Sequence, residues 1–194
     1  MDRSDVLPWI DIETFGLDPV NDPIVEFGFR ITNLALEELA SFSWVIWSGW
    51  HIERHEELVK DAWRGDKNAQ FIWEMHTKNG LFDNASRYGI RLEQVEKQVV
   101  EWFQSHPQLL GLPMCGSSVH FDRKHLMAQM PQIDSLFHYR IVDVSAIKET
   151  CKRYAPRVYA AVPEKTERHR VDPDLYDTVE EFRYYRDNFL KVDK

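Results

Sequence analysis

Apolar positions along this chain follow two different periods. Segments 6–12, 23–32 and 38–47 are dense in apolar, β-branched and aromatic residues and predict three strands. The first is continuous in its apolar character, as a central strand should be. Asn21-Asp22-Pro23 marks a turn before the second. From Glu53 to Asn79 the spacing becomes helical and is broken by Arg64-Gly65-Asp66, which predicts two helices and a loop. Leu92, Val95, Val99, Trp102 and Phe103 form the stripe of an amphipathic helix, ended by His106-Pro107. Beyond it the pattern predicts a short buried strand over 112–117, a helix from Val119 to Met130, a strand from His138 to Val142 and a helix from Asp143 to Tyr154. Segment 155–173 contains Pro156, Pro163 and Pro173 with Arg157, Lys165, Arg168 and Arg170, and reads as an irregular loop. A last helix is predicted from Asp174 to Phe189, with Val179, Phe182 and Phe189 facing inward. Three β segments followed by helices alternating with shorter strands imply an α/β architecture, a mixed central sheet of about five strands flanked by helices.

Composition narrows this picture. At 194 residues, with 43% hydrophobic and 29% charged, the chain is expected to form a single globular domain over 1–194. No apolar run reaches the roughly 18 residues of a membrane span. Met1-Asp2-Arg3-Ser4-Asp5 lacks the basic-then-apolar pattern of an export signal, so a cytoplasmic location is expected. The two cysteines, Cys115 and Cys151, have no CxxC spacing and read as buried free thiols, with a single disulfide as the alternative. Net charge is −8. A protein that tracks a long polyanion gains affinity by neutralising many phosphates with basic residues. A nucleic-acid substrate of this chain should therefore be short.

The chemistry concentrates in Trp9-Ile10-Asp11-Ile12-Glu13-Thr14-Phe15-Gly16-Leu17-Asp18-Pro19. Residues at i and i+2 of a strand share a face, so Asp11 and Glu13 converge at the strand's end. Two such carboxylates repel unless a proton or a cation intervenes, and a hard divalent ion such as Mg²⁺ or Mn²⁺ suits oxygen ligands. Asp122, just inside a predicted helix, and Asp174, opening the last helix five residues after His169, can be returned to the same place. Each also has a plainer reading: Asp174 as a helix cap, Asp122 as a solvated helical residue, His169 as a surface loop residue.

The ordered series Asp11, Glu13, Asp122, His169, Asp174 resembles the DEDDh 3′-to-5′ exonucleases, and within them the oligoribonuclease family. The likeness is carried by the first acidic motif with Thr14 to Pro19, by Cys115-Gly116-Ser117-Ser118 with Asp122-Arg123, by Phe137-His138-Tyr139-Arg140-Ile141-Val142-Asp143-Val144-Ser145, and by His169 through Tyr184-Tyr185-Arg186. The resemblance implies a ribonuclease H-like fold and two divalent metal ions, Mg²⁺ or Mn²⁺, on Asp11, Glu13, Asp122 and Asp174. It also implies His169 as general base, short single-stranded RNA as substrate and a homodimer. By the same resemblance Leu17 wedges between bases, and Phe71, standing where the family has tryptophan, stacks on one, with Trp73 near enough to share that role. His76, Ser118, Arg140 and Tyr139 of the partner subunit cap the 5′ phosphate. The chain departs from the family pattern at Pro173, which replaces an acid, and over residues 48–68. Two other readings remain: an exonuclease of this type that prefers single-stranded DNA, against which Phe137 to Arg140 argue, and a catalytically silent nucleic-acid-binding module, against which the five intact residues argue.

Overall fold

The computed structural model describes residues 5–166 and 168–191; the N-terminal residues 1–4, Glu167 and residues 192–194 lie outside the described residues. Strands β1 (Val6–Thr14), β2 (Ile24–Asn33), β3 (Glu38–Val45), β4 (Pro113–Gly116) and β5 (His138–Asp143) make one sheet in the order β3-β2-β1-β4-β5. The β1–β2 and β2–β3 pairs are antiparallel, while β1–β4 and β4–β5 are parallel. The sheet is therefore mixed, as expected.

Helices α1 (Gly49–Trp63) and α2 (Lys67–Lys78) flank the turn at Gly65, whose φ of +94° suits a residue without a Cβ. They are followed by α3 (Leu81–Tyr88), α4 (Leu92–Gln104), α5 (His120–Gln129), the single turn α6 (Pro131–Asp134), α7 (Val144–Tyr154), the single turn α8 (Pro156–Tyr159) and α9 (Val171–Asn188). Alternation along β1 and β2 sends Ile10, Ile12, Phe27, Phe29 and Ile31 into one core with Val95, Val99 and Phe103 of α4 and Leu126 of α5. A second core behind the sheet gathers Trp9, Cys115, Val144, Val171, Leu175, Val179 and Tyr185.

Two expectations are corrected. Segment 155–173 is not wholly irregular, since it contains α8 and the start of α9. Asp174 does not open the last helix but lies in its first turn, because α9 already begins at Val171. Pro173 is tolerated there because amides of a helix's first turn have no intrahelical acceptor; the Asp174 amide makes the bond back to the Arg170 carbonyl, 3.1 Å. Both cysteines are free and buried, so the disulfide alternative is not realised. Among the described residues no helix is long and apolar enough to cross a membrane.

Candidate active site

Asp11 and Glu13 project from one face of β1, and α9 brings Asp174 to them, so that carboxylate oxygens of the three lie within 4.8 Å of one another. Asp11 Oδ2 is buried and has no hydrogen-bond partner. Asp122 stands beside this trio rather than in it: it is buried at the start of α5, and its Oδ1 accepts the Ile12 amide at 3.0 Å. Burial, followed by the charges of Asp122, Glu13 and Asp174, pushes the Asp11 carboxyl well above the usual carboxylate range. Burial and then Asp174, Glu26 and Asp122 do the same to Glu13, with Arg170 opposing. Burial pushes Asp122 up to about 7 despite the amide it accepts, and burial raises Asp174 against the pull of His169. A cluster that resists deprotonation, consists only of oxygen donors and leaves a buried carboxylate oxygen unpaired fits a hard divalent cation.

His169 lies on the segment that enters α9 and faces a cleft of about 840 Å³, lined also by Glu26, Ser43, Phe71, Met75, Lys78, Asn79, Arg168 and Arg170. Its φ of +50° is in the left-handed region, a conformation that costs on the order of 1–3 kcal/mol and persists only where neighbours impose it. Leu17 is 75% exposed on the turn after β1, and Phe71 is 61% exposed in the cleft wall. Trp73 instead packs partly buried near Phe15 and Leu81, which leaves Phe71 as the cleft's aromatic.

Of the residues expected around a 5′ phosphate, Ser118 lies on the turn between β4 and α5, Tyr139 and Arg140 on β5, and His76 on α2. Ser118 donates through Oγ to Ser145, and its amide donates to Asp143. Tyr139 and Arg140 are exposed on the edge strand β5, with the guanidinium over the ring of Tyr139. His76, expected at the same phosphate, is fully buried, with Nε2 donating to the Thr14 carbonyl at 3.1 Å and its ring against Phe82. Burial lowers its pKa to about 4, so its 3.9 Å approach to Glu13 is not an ion pair. It braces the end of β1 at Thr14, beside Glu13.

Sequence reasoning missed three partners of this site. Glu26 is the cross-strand neighbour of Glu13 and receives a forked pair of hydrogen bonds from Arg170. Arg30, two steps further along β2 on the same face, pairs with Asp172 at 2.9 Å. Asn79 donates to the His169 carbonyl at 2.6 Å. A signal for the first two was present: Glu26, Gly28 and Arg30 share one face of a strand that is otherwise apolar.

No family model matches this chain. The chain is 32% identical to the oligoribonuclease of Chromobacterium violaceum over 186 residues, covering 96% of each protein. It is 33% identical to that of Mycobacterium tuberculosis over 184 residues, covering 94% of this chain and 80% of the relative. Among solved structures it resembles Escherichia coli exonuclease I in complex with a dA16 oligonucleotide, at a TM-score of 0.62 and 13% identity, over 95% of this chain and 41% of that one. The exonuclease I of Methylocaldum szegediense gives a TM-score of 0.57 at 14% identity, with the same coverage. The chain thus spans about 41% of the length of these structures, and at such identity the likeness carries the fold alone. That fold is ribonuclease H-like.

Proposed function

The chain belongs to the oligoribonuclease family, and from that premise we propose that it is a 3′-to-5′ exoribonuclease specialised for very short RNA. Its substrates in this reading run from dinucleotides to about pentanucleotides, released as nucleoside 5′-monophosphates by a homodimer in the cytoplasm. The observation that carries the proposal is the convergence of Asp11, Glu13 and Asp174 beside Asp122 and His169.

Asp11, Glu13, Asp122 and Asp174 would hold two divalent ions, which supply Lewis acidity that lowers the pKa of water and stabilises the leaving 3′ oxygen. The protein's own part is to orient water and phosphate and to move one proton. His169 accepts that proton as the oxygen of water bonds to phosphorus, a role an imidazole can fill near neutral pH. The P–O3′ bond breaks and the 3′ oxygen takes up a proton from solvent, leaving a nucleoside 5′-monophosphate and a chain shorter by one. Leu17 and Phe71, both exposed, hold bases at the 3′ end. Ser118, Arg140 and Tyr139 of the partner subunit close the site around the 5′ phosphate, for which the forked guanidinium is suited. A net charge of −8 supports reliance on stacking and an end cap rather than on backbone neutralisation.

A length series of RNAs tests this, run with and without Mn²⁺ beside matched DNA. We expect the highest kcat/KM on a 5′-phosphorylated dinucleotide, a loss on removing that phosphate, and no length preference in Arg140→Ala. Faster degradation of an RNA 20-mer than of the dinucleotide would refute the length specialisation, and faster cleavage of DNA than of RNA would refute the RNA preference.

A further inference from the structure

The segment carrying His169 is tied to a part of the sheet remote in sequence. Glu26 lies opposite Glu13, so the two carboxylates share a face. Glu26 is 3% exposed and fully engaged: Arg170 donates to it through Nε at 2.8 Å and Nη2 at 2.9 Å, and the Val171 amide donates at 3.2 Å. On the other side of His169, Asn79 Nδ2 donates to the carbonyls of His169, 2.6 Å, and Arg168, 3.3 Å. Between these two clamps His169 keeps its φ of +50°. A non-glycine residue stays in that region only where its surroundings over-determine it, and here both flanks are fixed from outside the segment.

The pair also sets the charge beside the acids. With Arg170 removed, an uncompensated Glu26 would face Glu13. With Glu26 removed, an unpaired guanidinium would face it instead.

We propose that Glu26 and Arg170, with Asn79, are positioning residues that latch His169 in its left-handed conformation over the acidic cluster and hold the charge of that cluster constant. The inference rests on the reading of His169 as the base. It concerns how the base is aimed, and a misplacement of about an ångström can cost about 10²-fold in rate.

The test uses the full chain with Arg170→Gln, Arg170→Lys, Glu26→Gln, Asn79→Ala, the Glu26→Gln/Arg170→Gln double variant and His169→Ala. Steady-state kinetics on a 5′-phosphorylated RNA dinucleotide are paired with Mn²⁺ titrations that follow paramagnetic broadening of the His169 ring resonance. Arg170→Gln and Glu26→Gln should each lower kcat by about 10- to 100-fold with a much smaller change in KM. The double variant should be no worse than the poorer single, because both break one unit. Broadening of the His169 ring should diminish in both singles. Mn²⁺ should bind more tightly to Arg170→Gln and more weakly to Glu26→Gln, a split that loss of packing alone does not produce. Arg170→Lys should recover part of kcat, keeping the charge without the fork. Asn79→Ala, which leaves the buried pair intact, serves if the other variants fail to fold and should still reduce both kcat and broadening. Unchanged kcat and broadening in Arg170→Gln and Asn79→Ala, with His169→Ala inactive, would overturn the latch alone. A wild-type rate in His169→Ala would overturn the reading of the base and, with it, the latch's catalytic purpose.

Discussion

The two faces of β1 and β2 are built from the same strands at the same pitch, yet they have opposite chemistry. One face presents Ile10, Ile12, Phe27, Phe29 and Ile31 to α4 and α5. The other presents Trp9, Asp11 and Glu13 beside Arg30, Gly28 and Glu26, in register. Onto this second face the start of α9 and the residue before it are laid in order: Arg170 on Glu26, Val171 over Gly28 and Asp172 on Arg30. A Cβ at position 28 would come within 2.5 Å of Val171 and 2.7 Å of the Phe42 carbonyl, so this close approach requires glycine. The apolar face gains its stability from burial, which has no direction. The polar face depends on matched pairs, each of which fixes a place. The candidate site sits where position is specified pair by pair.

The largest effect that would break this contrast concerns the acids. Asp11→Asn should lower turnover by about 10³-fold or more, close to 4 kcal/mol of transition-state stabilisation, while thermal melting stays the same or rises because a repelling charge is gone. Excess chelator should do the same to the wild-type enzyme. Retained turnover in either case would remove the acids from the mechanism.

The converse substitution lies across the sheet. Phe29→Ala, at a fully buried ring, should cost about 3–5 kcal/mol of stability and leave Mn²⁺ affinity and turnover per folded molecule nearly unchanged. Denaturant titration and active-site counting would check this. A variant that stays stable but loses activity would show that the two faces do not separate as described.

A smaller effect comes from pH. Each acid of the cluster is raised in the folded protein, and Asp122 reaches about 7. A carboxyl with a raised folded pKa stabilises the fold below its unfolded pKa, and that contribution disappears as pH rises through the folded value. For Asp122 the loss between pH 5 and pH 8 is about 2–3 kcal/mol. The metal-free protein should therefore melt several degrees lower at pH 8 than at pH 5, and Mn²⁺ should reverse the trend because it binds the deprotonated ligands. Melts at both pH values with and without the ion would show it. Smallest is Phe71→Ala, which should weaken substrate binding by about 1–3 kcal/mol with little change in kcat, since the exposed ring of the cleft wall offers stacking and no acid, base or metal ligand.

How much of this was legible follows from the same contrast. The five strands and the helices α1, α2, α4, α5, α7 and α9 were readable because burial imposes a period on neighbouring residues. The acids on β1 were readable because i and i+2 share a face whatever surrounds them. Helix α3 was not, since its eight residues follow Gly80 with only Leu81, Phe82 and Ala85 buried, too short a run to establish a period. The start of α9 was misplaced because Pro173 reads as a breaker until its first-turn position is known. Glu26 and Arg170 lie 144 residues apart, and no local pattern reports which distant charge a buried one will meet. Nor does the sequence around His76 report that its ring is buried with Nε2 on the Thr14 carbonyl.

The bond from the Ile12 amide to Asp122 has a practical consequence for trapping a substrate complex. β1 and β4 pair at Trp9 and Cys115, and beyond that point Asp122 takes up an amide of β1. One carboxylate thus closes a seam of the sheet as well as belonging to the acidic group. Asp122→Ala would leave a buried amide unanswered and disturb the strand that presents Asp11 and Glu13, so an inert protein made that way would be a poor mould of the working one. Asp11→Asn loosens no seam, and Asp122→Asn retains an oxygen for the Ile12 amide. Those are the variants, expected to be inactive, in which a bound RNA should still meet the native shape.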